Sequence, residues 1–275
     1  MQRSIATVSV SGTLPEKLHA IAAAGFDAVE IFDQDLYDYH GTPIEIRKMA
    51  QNLGLKIALF QPCRNVEGES RDQWKHNLER VRRKFEIMHQ LGCDRMLLCS
   101  NASAECSADI NIQIADLSQV AQLAQEHGIT VGYEALSWGT HVNHYRQAWD
   151  RVRVVNSPSM GIVLDSFHIL ARGDQVDQLV DIPLEKIIFV QLADAPRLNM
   201  DFQQWSRRFR CFPGHGALPI VEFAQRIAEK GYSGSWSLEV FNHEFDRMQP
   251  LPVAKNGFRS LQYIEQKITQ SNALS

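Results

Sequence analysis

Short apolar runs alternate with longer amphipathic stretches from one end of the chain to the other. Runs at roughly 3–9, 26–31, 55–60, 94–99, 129–134, 160–165, 186–191 and 235–240 read as strands. They are near-continuously apolar, as expected of parallel strands covered on both faces. The stretches between them carry helical signals. Thr13-Leu-Pro-Glu16, Thr42-Pro-Ile-Glu45 and Ser70-Arg-Asp-Gln73 each have the spacing of a capping box. Trp74, Leu78, Val81, Phe85, Met88 and Leu91 recur every three or four residues and predict one buried stripe on a long helix. Glycines at 25, 54, 92, 128 and 231 sit where helices should end, each just before a strand.

About eight strand–helix units in 275 residues predict a single TIM-type (β/α)8 barrel over 1–275. A doubly wound open sheet is the alternative. It would gather functional groups at one switch point. Here the polar residues closing strand runs are spread along the chain: Glu30, Gln61, Glu134, Asp165, Gln191 and Glu239. In a barrel all of them reach the C-terminal face, where barrel active sites lie.

The last four stand at the ends of ITVGYE, MGIVLD, KIIFVQ and SWSLE. A buried carboxylate or carboxamide needs a partner. Glu134, Asp165, Gln191 and Glu239 in matching register point to one shared divalent cation. Such oxygen donors suit Mg²⁺ or Mn²⁺, with Co²⁺ a further option, better than a structural zinc. Ion pairs with lysines and arginines at the barrel rim are the alternative partners.

Composition narrows the picture. A net charge of −4 offers no general attraction to nucleic acid or anionic membrane. The chain has no apolar stretch long enough to span a bilayer, and its first residues lack a signal-peptide pattern. Five cysteines without CxxC spacing predict neither a disulfide framework nor a zinc knuckle. A reduced, cytoplasmic setting and a small-molecule substrate are expected.

The segments SIATVSVSGTLPEKLHAIAAAGFDAVEIF, GYEALSWGTHVN, LDSFH, FVQLADAP and FRCFPG resemble the bacterial 3-dehydroshikimate dehydratase family, within the xylose isomerase-like barrels. The resemblance covers nearly the whole chain. It implies a divalent metal on Glu134, Asp165, Gln191 and Glu239. It also implies conversion of 3-dehydroshikimate to protocatechuate and water. Some relatives carry a second metal-binding domain after the barrel, which is not expected here. Sugar or inositol-type ketose isomerases and epimerases share the barrel and form the alternative reading.

That chemistry needs a proton carrier and a cation for the substrate's carboxylate. His168 lies three residues beyond Asp165 and is the first choice for acid–base work. His141, after the fifth strand, is its rival, and His215 is a weaker one. Glu134 can also move protons. Arg64 and Arg210 are the candidates for the carboxylate. Gln61 and Glu30 are candidates for substrate hydroxyls, with pairing to an arginine the alternative for Glu30, and Arg207 and Arg208 read as a solvated or intersubunit face. The loop from Asp194 to Gly216 reads as a lid or a subunit contact, the latter implying a homo-oligomer. Trp138 and Trp149 read as pocket walls or core.

Overall fold

The computed structural model describes residues 1–272. Eight parallel strands close into a barrel in chain order: β1 Gln2–Ala6, β2 Ala28–Phe32, β3 Lys56–Cys63, β4 Arg95–Cys99, β5 Thr130–Glu134, β6 Met160–Asp165, β7 Ile187–Leu192 and β8 Ser235–Leu238. The closing pair is β1 with β8, in register Ser4↔Ser237. The open-sheet alternative is thereby excluded.

Helices follow each strand. These are α1 Leu14–Ala24, α2 Asp33–Tyr37, α3 Pro43–Asn52, α4 Arg71–Leu91 and α5 Ile110–Glu126. After them come α6 Tyr145–Val155, α7 Ser166–Ala171, α8 Phe202–Arg208, α9 Ile220–Glu229 and α10 Pro250–Asn272. The α4 stripe is buried as the spacing predicts, except that Leu78 is only half-buried.

The helix starts differ in detail from the capping pattern. Thr42 and Glu45 make both halves of the box, at 3.3 and 2.6 Å. At α1 the Thr13 hydroxyl turns to donate to Glu16 Oε2 and leaves only the return bond from Thr13 N–H. At α4, Ser70 Oγ accepts from Gln73 N–H, but the Gln73 amide goes to Asn77 instead of back to the cap. The first strand is also shorter than expected. Residues 7–9 wind into a 3-10 turn, and Thr7 Oγ1 accepts the Phe32 N–H at 3.0 Å.

Alternation along each strand sorts side chains into two layers. Outward residues such as Val131 and Tyr133 join the large core under the helices. Inward residues Ala28, Leu59, Leu97, Val163 and Phe189 form a separate apolar plug inside the barrel. The plug is tight: a Cβ at Gly132 would lie 2.5 Å from a Val163 methyl, so no larger residue fits that point of β5. Above the plug, the next inward positions carry the polar groups.

Phe189→Ala removes the largest side chain of the plug. It should cost about 3–5 kcal/mol in a urea titration, with little change of secondary structure. A loss below about 1 kcal/mol would contradict a closely packed interior.

Candidate active site

Glu30 lies within β2 and Gln61 within β3, while Glu134 and Asp165 end β5 and β6. Gln191 is next to last in β7, and Glu239 stands one residue past β8 with its N–H still bonded to Leu192 O. All six are buried and face the barrel axis above the plug. Period-two alternation in strands that end at one face is sufficient to bring them together.

Their hydrogen bonds form two linked groups. Gln61 Nε2 donates to Glu30 Oε2 (3.1 Å) and Glu239 Oε1 (2.8 Å), and Gln191 Nε2 donates to Glu30 Oε2 (2.7 Å). On the other side stands Arg210, which is 1% exposed. Its Nη1 donates to Asp165 Oδ2 (2.8 Å), Glu239 Oε2 (2.9 Å) and the Glu239 carbonyl (3.0 Å). Its Nη2 donates to His168 Nε2 (3.1 Å) and, with Nε, to Ser206 Oγ. The guanidinium lies over Phe167, 4.5 Å from the ring centre. Asp165 Oδ1 caps the following helix by accepting from Phe167 N–H at 2.7 Å. Glu134 has one weak donor, the Cys99 thiol at 3.5 Å.

Glu134, Asp165 and His168 offer ligand atoms that all lie within 4.8 Å of one another, a spacing that can hold a metal ion. Four oxygens in the same cluster have no partner although buried: Oε1 of Glu30, Gln61, Glu134 and Gln191. Buried polar atoms are nearly always satisfied, so this concentration marks a place for a cation.

The electrostatics agree. Burial, reinforced by Asp165 and Glu239, holds the Glu134 carboxyl well above its ordinary value. Burial and then Glu239 push Glu30 up to about 8, so it retains its proton at neutral pH. Burial also raises Glu239, though Arg210 works against it. At Asp165 burial is outweighed by Arg210 and His168, and the carboxyl stays below its ordinary value. Burial, with the help of Arg210, drives His168 down to about 3, leaving the imidazole neutral. Both ring nitrogens face donors, Arg210 Nη2 at Nε2 (3.1 Å) and the Ser137 N–H at Nδ1 (3.2 Å), and Ser137 Oγ also lies 3.1 Å from Nδ1.

Other residues singled out in the sequence lie elsewhere. His141 turns its Nε2 to the Cys106 carbonyl at 3.0 Å and stays out of the Glu134–Asp165–His168 group. His215 is exposed in the loop after α8. Arg64 is half-buried, with a buried Nε that has no partner. Arg207, read as a solvated face, is close enough to Arg64 that partial burial and this like charge lower its pKa. Trp138 packs edge-on to His168 with ring centres 5.1 Å apart, whereas Trp149 belongs to the helix-side core. Arg210, expected at a substrate carboxylate, has every guanidinium nitrogen engaged by the protein, because the buried acids need its charge.

Ser206 lies in none of the motifs singled out above, whereas Ser137 falls within GYEALSWG and Asp194 within FVQLADAP. Ser206 sits four residues before Arg210, so α8 positions the arginine. Asp194 accepts from the N–H groups of Ala195, Gly214, Gly216 and Leu218, which fastens the PGHG loop beside the barrel mouth.

Residues 18–264 match the family model described as xylose isomerase-like TIM barrel. The chain belongs to the xylose isomerase-like TIM barrel family. Among relatives of this xylose isomerase-like barrel, the 3-dehydroshikimate dehydratase of Pseudomonas putida is 50% identical over 267 residues, which cover 97% of this chain and 42% of that protein. An inosose isomerase of Halalkalibacterium halodurans is 26% identical over 254 residues, 87% of each chain. A solved xylose isomerase-like TIM barrel/4-hydroxyphenylpyruvate dioxygenase fusion protein superposes with a TM-score of 0.96 at 49% identity, covering 99% of this chain and 44% of that one. The chain thus spans less than half the length of the dehydratase and of the fusion protein.

Arg210→Ala leaves the barrel's buried acids without their guanidinium. In metal-stripped protein it should cost about 3–5 kcal/mol by urea denaturation. Added Mn²⁺ should restore a larger share of stability to this variant than to the unaltered protein. An equal response in both would show that metal and arginine do not share the same charge.

Proposed function

We propose that the chain dehydrates 3-dehydroshikimate to protocatechuate and water, using one divalent cation held by Glu134, Asp165, Gln191 and Glu239. The observation that carries the cation is a cluster of buried oxygens without partners, Oε1 of Glu30, Gln61, Glu134 and Gln191. A divalent ion would favour the ionised form of Glu134, which burial otherwise opposes, and the free Oε1 atoms of Glu134 and Gln191 would supply charged and neutral donors for it. Mg²⁺, Mn²⁺ or Co²⁺ suits an all-oxygen set. The choice of reaction rests on the dehydratase of Pseudomonas putida, half identical over nearly all of this chain.

Bound there, the cation would act as a Lewis acid on the substrate's C3 ketone and acidify the C4 proton. The protein's own groups do the rest. Gln61 and the protonated Glu30 hold Glu239 and Gln191 in orientation from behind. Burial keeps His168 neutral, and its Nε2, which accepts from Arg210 Nη2 at 3.1 Å, takes the C4 proton once that contact is given up. The same Nε2–H then protonates the departing C5 hydroxyl, which leaves as water. Loss of one C6 proton, matched by gain of one proton at the ketone oxygen, completes the aromatic diol. Glu134 is the second group placed to move a proton. His141 has no part in this scheme, since it stands outside the Glu134–Asp165–His168 group.

The substrate carboxylate falls to Arg64, with Arg207 beside it. Neither has a carboxylate partner among the described residues, and two adjacent guanidinium groups favour an anion between them. Arg210 instead orients Asp165 and Glu239.

A second reading is a ketose isomerase, favoured by the inosose isomerase that matches along most of both chains. It uses the same cation and proton carrier on a neutral ring.

Metal-stripped protein given 3-dehydroshikimate should show no ultraviolet rise from protocatechuate until Mg²⁺ or Mn²⁺ is restored. Turnover of inosose with none of dehydroshikimate would decide for the isomerase. Glu134→Gln and Glu239→Gln should lower activity more than about 100-fold together with bound metal. Full activity with normal metal content in both would refute the ligand set.

A further inference from the structure

A cleft of about 410 Å³ opens outside the barrel wall, between α2 and α4. It is separate from the axial cluster. Its floor is Lys84, whose ammonium lies 5.0 Å from the ring centre of Phe60, a member of the outer core. The volume falls in the range of small-ligand sites.

The cleft has a surplus of positive charge in a chain whose net charge is −4. Arg64, Arg80, Arg83 and Lys84 line it against one carboxylate, Asp33. Lys84 is neutralised by Asp33 at 2.7 Å, and both are largely buried. Arg83 pairs only with Glu79 at 3.2 Å on the exposed surface, a bond of little net worth. Arg80 uses Nη2 on the carbonyls of Arg64 and Asn65 and has no carboxylate partner among the described residues. Arg64 has none either, and its Nε is buried without an acceptor. Tyr37, Pro62 and Ile87 complete the lining, with the Tyr37 ring 5.7 Å from the Lys84 ammonium.

Planar guanidinium forks beside an aromatic ring and apolar side chains fit a ring that bears a carboxylate. Arg64 belongs both to this cleft and to the barrel mouth, where its charge acts on His168 and Glu239. It also follows closely on Gln61, whose amide bridges Glu30 and Glu239. An anion in the cleft therefore competes for the arginine that the substrate needs.

We infer that this cleft is a second ligand site, which takes a small planar carboxylate and, through Arg64, opposes substrate binding in the barrel. The kinetic half of this inference rests on the dehydratase reading; the binding half does not.

Benzoate is the probe, titrated calorimetrically into metal-loaded protein, with inorganic phosphate as a tetrahedral anion lacking a ring. Benzoate should bind, and Arg83→Glu should weaken it at least ten-fold, since the arginine is exposed and remote from the axial cluster. Tyr37→Ala should weaken benzoate while leaving phosphate unchanged. Benzoate should also raise the KM for 3-dehydroshikimate, and Arg83→Glu should abolish that rise. Equal benzoate affinity in Arg83→Glu and unaltered protein would overturn the site. Phosphate binding as tightly as benzoate would overturn its ligand class. A protein inactive on dehydroshikimate but showing the calorimetric pattern would keep the site and reject the reaction.

Discussion

Crowding of carboxyl groups buried at one end of the barrel is the constraint on which the rest depends. Isolated carboxylates do not survive in such a place. Protonation, hydrogen bonding and counter-charge must divide the burden among them. Glu30 keeps its proton, Gln61 and Gln191 supply amide donors, and Arg210 spans Asp165 and Glu239. What these leave over is concentrated at Glu134, whose only donor is a thiol. The proposed cation follows from that remainder, since a site with every acid satisfied would have no need of one.

The scaffold serves this arrangement by separating greasy and polar layers along the same strands. Below the acids, Leu97, Val163 and Phe189 fill the interior and exclude solvent. The missing side chain of Gly132 lets Val163 approach, so Glu134, two residues on, rises from a filled floor. A low-polarity floor strengthens every electrostatic interaction above it. It also keeps His168 uncharged and so in the form that accepts a proton.

Much of this was legible in the sequence because it depends on periodicity. A strand of period two that ends at Glu134 or Asp165 leaves no choice about which face its acid occupies. Helix ends marked by glycine were equally plain, with Gly92 adopting φ 68° as the left-handed residue after α4. What depends on loop conformation was not legible. Arg210 reads in FRCFPG as an arginine available to a ligand; only the folded loop after β7 turns it inward, with Ser206 bracing it from α8. Arg207, one residue beyond Ser206, reads as surface for the same reason. Capping was legible to the extent that one acceptor competes with another: Gln73 had Asn77 within reach and took it.

Asp194 divides the long loop after β7 into two mechanical parts. Four amide hydrogens converge on its side chain, and its backbone pairs with Cys211 in both directions. Residues 211–218 are thereby welded to the barrel rim, while residues 196–200 are exposed on the other side of the same carboxylate. Ser166 adds a rivet, exchanging hydrogen bonds with both backbone groups of Ala193. The rim next to Asp165 is therefore a fixed jamb, beside an exposed span that runs on to α8.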